Sequence, residues 1–174
     1  FDDLQALLLR RAVVGLPTDR VVARLCRARA EGAESLRQAI ARITPSDERI
    51  RAALKFAELP HPSYVLGRIA GVDSTDDLGI DHVVPLTPKA SWSGDGVRSW
   101  ADFTDDERNS HRALAPTIGN LALLEDDLAL RTFDMSFPDK RDAAYALSGI
   151  AQTRLLADAR AWGTAAIADR TRAL

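Results

Sequence analysis

Cysteine is nearly absent from this sequence, whose 174 residues include one, Cys26. A single cysteine excludes an internal disulfide framework and any zinc site built from paired cysteines. The sequence also lacks a secretory signal pattern and any apolar run of the roughly 18–20 residues that a membrane-spanning helix requires. We therefore expect a cytoplasmic protein that does not enter a membrane.

Lysine is scarce as well, since only three of the 23 basic residues are lysine. The net charge of −2 is not that of an obvious nucleic-acid binder. Residues 1–60 carry 11 basic against 8 acidic side chains, whereas residues 61–136 carry 6 against 13. An acidic centre beside basic ends fits a cation site flanked by phosphate-binding surfaces. Ordinary solvated helix faces explain the same distribution.

The length and a hydrophobic content of 46% are sufficient for one well-buried domain. Because the chain lacks an initial Met and opens directly in a helical pattern, we expect it to be a piece of a longer protein. Apolar residues at helical spacing, with capping and stop signals, continue through the first seventy residues. They predict helices over residues 2–15, 18–30, 33–43, 46–58 and 61–71.

Two short runs in the middle of the chain are typical of β-strands. They are LGIDHVVP (78–85) and TIGNLALLE (117–125), and EDDLALRTF (125–133) predicts a short helix after the second. Between the strands, TDDE (104–107) is a capping box that opens another helix. Two strands and one helix cannot bury a core alone, so the flanking helices must cover them. The sequence predicts a mainly α (α+β) fold, a helical domain with an embedded ββα hairpin.

The first strand contains an Asp–His pair, Asp81 and His82. A neutral imidazole is well suited to accept a proton near pH 7, and a carboxylate can hold a hard divalent cation. Phosphodiester hydrolysis uses both functions. Neighbours on a regular strand point to opposite faces, so the two side chains share a site only where the strand twists or ends, for example before Pro85. The pair alone favours a structural histidine.

The second strand begins with Gly119 and Asn120. Glycine permits backbone conformations that other residues resist. An amide in an apolar strand is costly unless it is hydrogen-bonded. We therefore expect Asn120 to bridge the hairpin loop and to hold its geometry.

The order of DHVVP, a long loop, GNLALL and a short helix resembles the HNH (ββα-metal) nuclease motif. It is similar, more specifically, to the C-terminal nuclease domain of GmrSD-type modification-dependent restriction proteins and of related phosphorothioate-sensing nickases. Downstream, SFPDKRDAAYALS (136–148) and a W-x4-I-x2-R-x3-L pattern also follow the spacing of this family. The resemblance implies a helical segment over residues 1–70 and an HNH nuclease domain over residues 71–174, together one compact unit.

The same resemblance implies a DNA endonuclease or nickase that uses Mg²⁺ or Mn²⁺ and acts on double-stranded DNA. It assigns His82 as the general base, Asp81 as a metal ligand and Asn120 as the middle Asn of the motif. The third polar residue of the motif, a metal ligand, falls at Ala129, which cannot bind a cation. Asp127 is our choice for its replacement.

Other replacements stay open, because Asp126 and Asp134 are also nearby in sequence, and Mg²⁺ tolerates few protein ligands plus water. Lys140 is assigned to contact a phosphate of the DNA, with a solvated lysine paired to Asp139 or Asp142 as the alternative.

The resemblance further implies defence against foreign DNA, with an N-terminal sensor or NTPase domain of the same protein as partner. The alternative function is a catalytically degenerate HNH-fold module that binds DNA or another protein, which Ala129 favours. A purely helical docking domain with an incidental Asp–His pair is a third interpretation.

Overall fold

The computed structural model describes residues 2–174, which form two compact units, one ending at Pro60 and one beginning at His61. The helix Pro62–Ala70 belongs to the second unit and packs against both of its strands. No helix within residues 2–174 is long and apolar enough to cross a membrane.

The described part of the first unit contains four α-helices, which are α1 (Asp2–Val13), α2 (Val21–Glu31), α3 (Ala33–Ile43) and α4 (Asp47–Leu54). α1 packs against α3 and α4, and its Leu7 is fully buried. Gly32 alone joins α2 to α3, with a φ of 132° that glycine adopts at the least cost. α2 begins after Arg20, three residues later than the predicted start at residue 18.

The second unit contains a two-stranded sheet and six α-helices within the described residues. They are β1 (Leu78–His82), β2 (Leu121–Glu125), α5 (Pro62–Ala70), α6 (Asp105–Leu114), α7 (Asp126–Thr132), α8 (Phe137–Ala143), α9 (Ala151–Arg154) and α10 (Thr164–Ala173). The strands pair antiparallel, with Asp81 opposite Ala122 and His82 opposite Leu121. α7 follows β2 directly, so the predicted ββα order is present and the predicted mainly helical fold is confirmed.

The strands are shorter than their apolar patterns predicted. β1 ends at His82, because the next two backbone amides both turn to Asn120. Val83 N donates to the carbonyl of Asn120 (3.0 Å), and Val84 N donates to its side-chain Oδ1 (2.9 Å). β2 begins only at Leu121, since residues 118–120 form a 3₁₀ turn. The ends of both strands therefore meet at one asparagine.

The core of the second unit lies around the sheet and is completed by the helices and by the long loop after β1. It includes the buried residues Val83, Val84, Trp92, Trp100, Leu124, Phe137, Tyr145, Leu156, Trp162 and Ile167. Trp92 and Trp100 anchor the loop, with ring centroids 6.1 Å apart in an edge-to-face arrangement. Because β2 is buried along most of its length, the flanking helices supply the cover that two strands alone lack.

The predicted capping box at the start of α6 is present and is reinforced by an arginine. Glu107 accepts from Thr104 N (2.7 Å), and it also accepts two bonds from Arg98 (2.7 and 2.6 Å). The Arg98 hydrogen bonds, followed by those from Thr104, lower the pKa of Glu107 to about 2. The carboxylate form therefore holds the end of the long loop against α6.

We predict that Glu107→Gln lowers the free energy of unfolding, most strongly at pH values above the ordinary glutamate pKa of 4.5. Because the pKa of Glu107 is lower in the folded than in the unfolded state, its carboxylate stabilises the fold above pH 4.5. This stabilisation is lost as the pH falls toward about 2. Thermal unfolding of both proteins across this range should show wild type losing its advantage as the pH falls. A difference that stays constant with pH would contradict the assignment.

Candidate active site

The side chain of Asp81 lies in the core, although it is a carboxylate. In the register of the sheet, Asp81 shares a face with Gly79 and Ala122, and it is 5% exposed. A buried carboxylate is costly unless it is paired and hydrogen-bonded. Both of its oxygens have such a partner.

Lys140 supplies the first partner. Its Nζ lies 2.6 Å from Asp81 Oδ1 and also donates to the backbone carbonyl of His82 (2.9 Å). Lys140 has no exposed surface, so the interpretation as a solvated lysine is wrong. The reason is its place on α8, where it lies between Phe137 and Ala144 on the buried face.

Tyr145 supplies the second partner. Its hydroxyl donates to Asp81 Oδ2 at 2.5 Å. Burial, and then the negative charge of Asp81, raise the pKa of Tyr145 well above its usual value. The phenol therefore keeps its proton at neutral pH and serves as a donor. Together, Lys140 and Tyr145 occupy the carboxylate of Asp81 from within the core.

His82 lies on the opposite face of β1, as strand alternation requires, and its side chain is partly exposed. The peptide group that follows it is held at both its carbonyl and its amide. The carbonyl accepts from Lys140 (2.9 Å), and the following amide, Val83 N, donates to the carbonyl of Asn120 (3.0 Å). The imidazole thus stands at a strand end whose main chain has little freedom.

Asn120 is fully buried, and all its polar side-chain positions are used. Its Nδ2 donates to the carbonyls of Val84 and Ala115, both at 2.9 Å. Its Oδ1 accepts from Val84 N (2.9 Å) and from the indole of Trp162 (3.2 Å). This one amide joins the end of β1, the end of α6, the start of β2 and the segment before α10.

Arg170 of α10 secures the same region from the other side. It donates to the carbonyls of Gly119 (3.0 Å) and Leu121 (2.5 Å), which flank Asn120. Burial lowers the pKa of Arg170 to about 10, which leaves the guanidinium protonated at neutral pH. A larger side chain at Gly119 would collide with the carbonyl of Ile167, since a Cβ there would lie 2.1 Å from that oxygen. The glycine therefore permits close packing of α10.

The position of the third motif residue, Ala129, lies over the face of β1 that carries Asp81. A Cβ on Gly79 would lie 3.9 Å from Ala129 Cβ and 3.1 Å from Asp126 Oδ1. Asp127 instead points away from the core, is 71% exposed and pairs with Arg131 at 2.6 Å. Replacement of the missing ligand by Asp127 therefore has no geometric support here.

Of the two further candidates, Asp126 lies near Gly79 on the face of β1 that carries Asp81, whereas Asp134 forms an ion pair with Lys89. Within residues 2–174 there is no group of three or more His, Cys, Asp or Glu side chains that could hold a metal ion. A cation on Asp81 would also have to displace or lie beside the Lys140 ammonium, which is of the same sign. The side chains in this arrangement do not fit a divalent cation at Asp81.

Three contacts of this site are absent from the sequence-predicted set. They are the hydrogen bond from Tyr145 to Asp81, that from Trp162 to Asn120, and those from Arg170 to the start of β2. Tyr145, Trp162 and Arg170 all lie in the two downstream patterns that follow the family's spacing, but that spacing does not show what each side chain contacts.

Comparison with models of known protein families identifies the family of this chain. The model of the C-terminal domain of GmrSD restriction endonucleases matches residues 33–174. The chain belongs to this family. No curated protein gives a significant match to the chain. Membership in a restriction endonuclease family supports nuclease activity and DNA as the substrate, while α1 and α2 lie outside the matched range.

We predict that Asn120→Ala lowers the free energy of unfolding by about 3 kcal/mol or more. Each buried partner left unpaired costs about 1–3 kcal/mol, and Asn120 has partners on Val84, Ala115 and Trp162. Urea denaturation measures the loss. The exposed Asn109→Ala should change stability by less than about 0.5 kcal/mol, and equal effects of the two substitutions would contradict the assignment.

We predict that Asp81 and Lys140 are strongly coupled. Removing one partner of a buried ion pair costs about 3–5 kcal/mol, because the other charge stays buried. Asp81→Asn combined with Lys140→Met should therefore be less destabilised than the sum of the single variants, by about 1–3 kcal/mol. Chemical denaturation of the four proteins gives the coupling energy. Additive effects would mean that the two side chains do not pair.

Proposed function

We propose that this domain is a DNA endonuclease that hydrolyses one phosphodiester bond per event, so that its elementary product is a nick. The observation that carries the proposal is the partly exposed His82 at a rigidly held strand end, in a chain of the GmrSD C-terminal family. Lys140 and Asn120 both hold the peptide group that follows His82.

In the proposed reaction, the imidazole of His82 takes a proton from a water molecule as the water oxygen attacks phosphorus. A new P–O bond forms and the bond to the 3′ oxygen breaks. The 3′ oxygen leaves and takes a proton from solvent, which gives a 3′ hydroxyl and a 5′ phosphate. Asn120 acts as a positioning residue, because it holds the two peptides that follow His82.

The structure changes the role that we propose for Asp81 and Lys140. Asp81 was assigned to a cation and Lys140 to a phosphate, but the two bind each other in the core. We now propose that both are positioning residues, which fix β1 so that His82 faces out. Dependence on Mg²⁺ or Mn²⁺ remains part of the proposal from the family. Because the side chains around Asp81 do not fit the ion, the steps of the proposed reaction involve only His82, water and solvent protons.

The proposed substrate is double-stranded DNA, and the proposed setting is defence against foreign DNA in the cytoplasm. An N-terminal sensor or NTPase domain of the same protein would select modified DNA and control cutting. A closer relationship to phosphorothioate-sensing nickases is part of the same proposal, and it rests on the motif spacing of residues 78–174.

A second candidate function is a degenerate nuclease fold that binds DNA or another protein without cleavage. Two observations favour it. Ala129 stands where the motif has a ligand, and the carboxylate of Asp81 is already occupied by Lys140 and Tyr145. The two functions differ in whether the isolated domain cuts DNA.

A plasmid assay separates the two candidates. We predict that the wild-type domain nicks supercoiled DNA with Mg²⁺ or Mn²⁺ and not with EDTA. Loss of a general base costs typically 10²–10⁴-fold, so His82→Ala should reduce the rate by about that factor. His61→Asn is the matched control, because His61 is exposed and has a φ of 52°, which Asn tolerates.

Each outcome decides one point. A wild-type domain that cuts nothing at high enzyme concentration supports the degenerate module and contradicts the endonuclease. Nicking that survives His82→Ala contradicts the role of the base alone. Nicking that is equally fast in EDTA contradicts the dependence on a divalent cation.

A further inference from the structure

The solvent-facing side of α2 carries a line of arginines. Arg20, Arg24 and Arg27 are spaced by four and three residues, which places them on one helical face. All three are exposed. On the neighbouring helix α3, the exposed Arg42 faces the same groove.

Two adjoining hollows form this groove, and Arg24 lines both of them. The charged residues that line the hollows are five arginines and two acids, namely Arg11, Arg20, Arg24, Arg27, Arg42, Asp19 and Glu31. The groove between α2 and α3 therefore carries a net positive charge. Gln38 and Ser35 add neutral polar side chains along the α3 side.

Most of this charge is not neutralised by the protein. Within the described residues, none of Arg20, Arg24, Arg27 and Arg42 lies within ion-pair distance of a carboxylate. Arg37 on the other side of α3 differs, because it pairs with Glu34 at 2.6 Å. Arg11 also has a structural role, since it donates to the carbonyls of Pro17 and Ile43. Four guanidinium groups thus remain available for an anion.

Arg20 is placed where folding alone disfavours it. Its φ of 52° lies in the left-handed region, which Gly and Asn adopt at lower cost. It precedes α2 but makes no side-chain capping bond to the helix. Neither backbone preference nor helix capping therefore explains why an arginine lies at the end of the groove.

The spacing fits a phosphate backbone. Arg20 directly precedes α2 and Arg27 lies seven residues later, a distance of about 10 Å along the helix axis. One strand of duplex DNA presents a phosphate about every 3.4 Å along its axis, so the line spans about three successive phosphates. Arginine is the side chain best shaped for bidentate contacts with phosphate.

We propose that the groove between α2 and α3 binds the sugar–phosphate backbone of double-stranded DNA without reading its bases. The inference rests on the proposed function for the identity of its ligand and adds a surface that holds the substrate. The family match begins at residue 33, so α2 lies outside it and the match does not assign this surface. Binding through the groove does not involve His82.

The test is fluorescence anisotropy with the full chain, a short labelled duplex of arbitrary sequence and EDTA to prevent cutting. Arg24→Gln and Arg42→Gln should each weaken binding about five- to tenfold, as expected for the loss of one solvent-exposed hydrogen-bonded contact. Each should also reduce the slope of log K against log salt by about 1. Arg29→Gln is the matched control, because Arg29 is exposed on α2 but does not line the groove.

Three results would contradict the proposal that the groove binds DNA. They are wild-type protein that does not bind the duplex, groove variants that bind like wild type, and an Arg29→Gln variant that loses as much affinity as Arg24→Gln. Circular dichroism confirms that each variant is folded. Plasmid nicking is scored separately. If the duplex binds through the groove but the plasmid is not nicked, only the endonuclease proposal is rejected. If the plasmid is nicked and Arg24→Gln and Arg42→Gln change neither nicking nor binding, only the groove proposal is rejected.

Discussion

The arrangement of the second unit depends on the buried pair of Asp81 and Lys140. Bringing two charges out of water costs several kcal/mol per ion, which the attraction between them offsets only with good geometry and further hydrogen bonds. Here the contact is 2.6 Å, and Tyr145 and the carbonyl of His82 supply the further bonds. An apolar pair of similar size could give equal stability, so we infer that the ion pair contributes to the specificity of the fold. A slip of β1 by one residue would expose Asp81 and bury His82, and it would leave the Lys140 ammonium unpaired in the core.

Asn120 fixes the same strand end through neutral groups. Its amide determines where β1 stops and where β2 begins, and Arg170 holds the two carbonyls beside it. The Asp81–Lys140 ion pair and the hydrogen bonds of Asn120 therefore both act on the peptides around His82. In our proposal, both networks hold the imidazole ready for a substrate phosphate rather than touching the substrate themselves. Rigid support of this kind is what a general base requires, since small displacements of a reacting group reduce the rate strongly.

Local signals in the sequence predicted much of the fold. The bounds of α3 agree with the prediction, Ser46 caps α4, and Thr104 and Glu107 form the expected box. Each depends on residues within a few positions of one another. The lengths of the strands were less predictable, because Asn120 takes the amides of Val83 and Val84, which lie 36 residues away or more. Asp81 and Lys140 are 59 residues apart, and charge in sequence does not show which lysine will reach a buried carboxylate.

The central claim is that Asp81 binds Lys140 in the core and not a cation. It can be measured directly by NMR of the lysine side-chain ammonium groups, since only three lysines are present. We predict that the Lys140 ammonium signal is protected from water exchange at neutral pH and does not move when Mg²⁺ is added. A Lys140 ammonium that exchanges freely, or one that shifts as Mg²⁺ binds, would show that the carboxylate of Asp81 is available to a metal and would contradict the account.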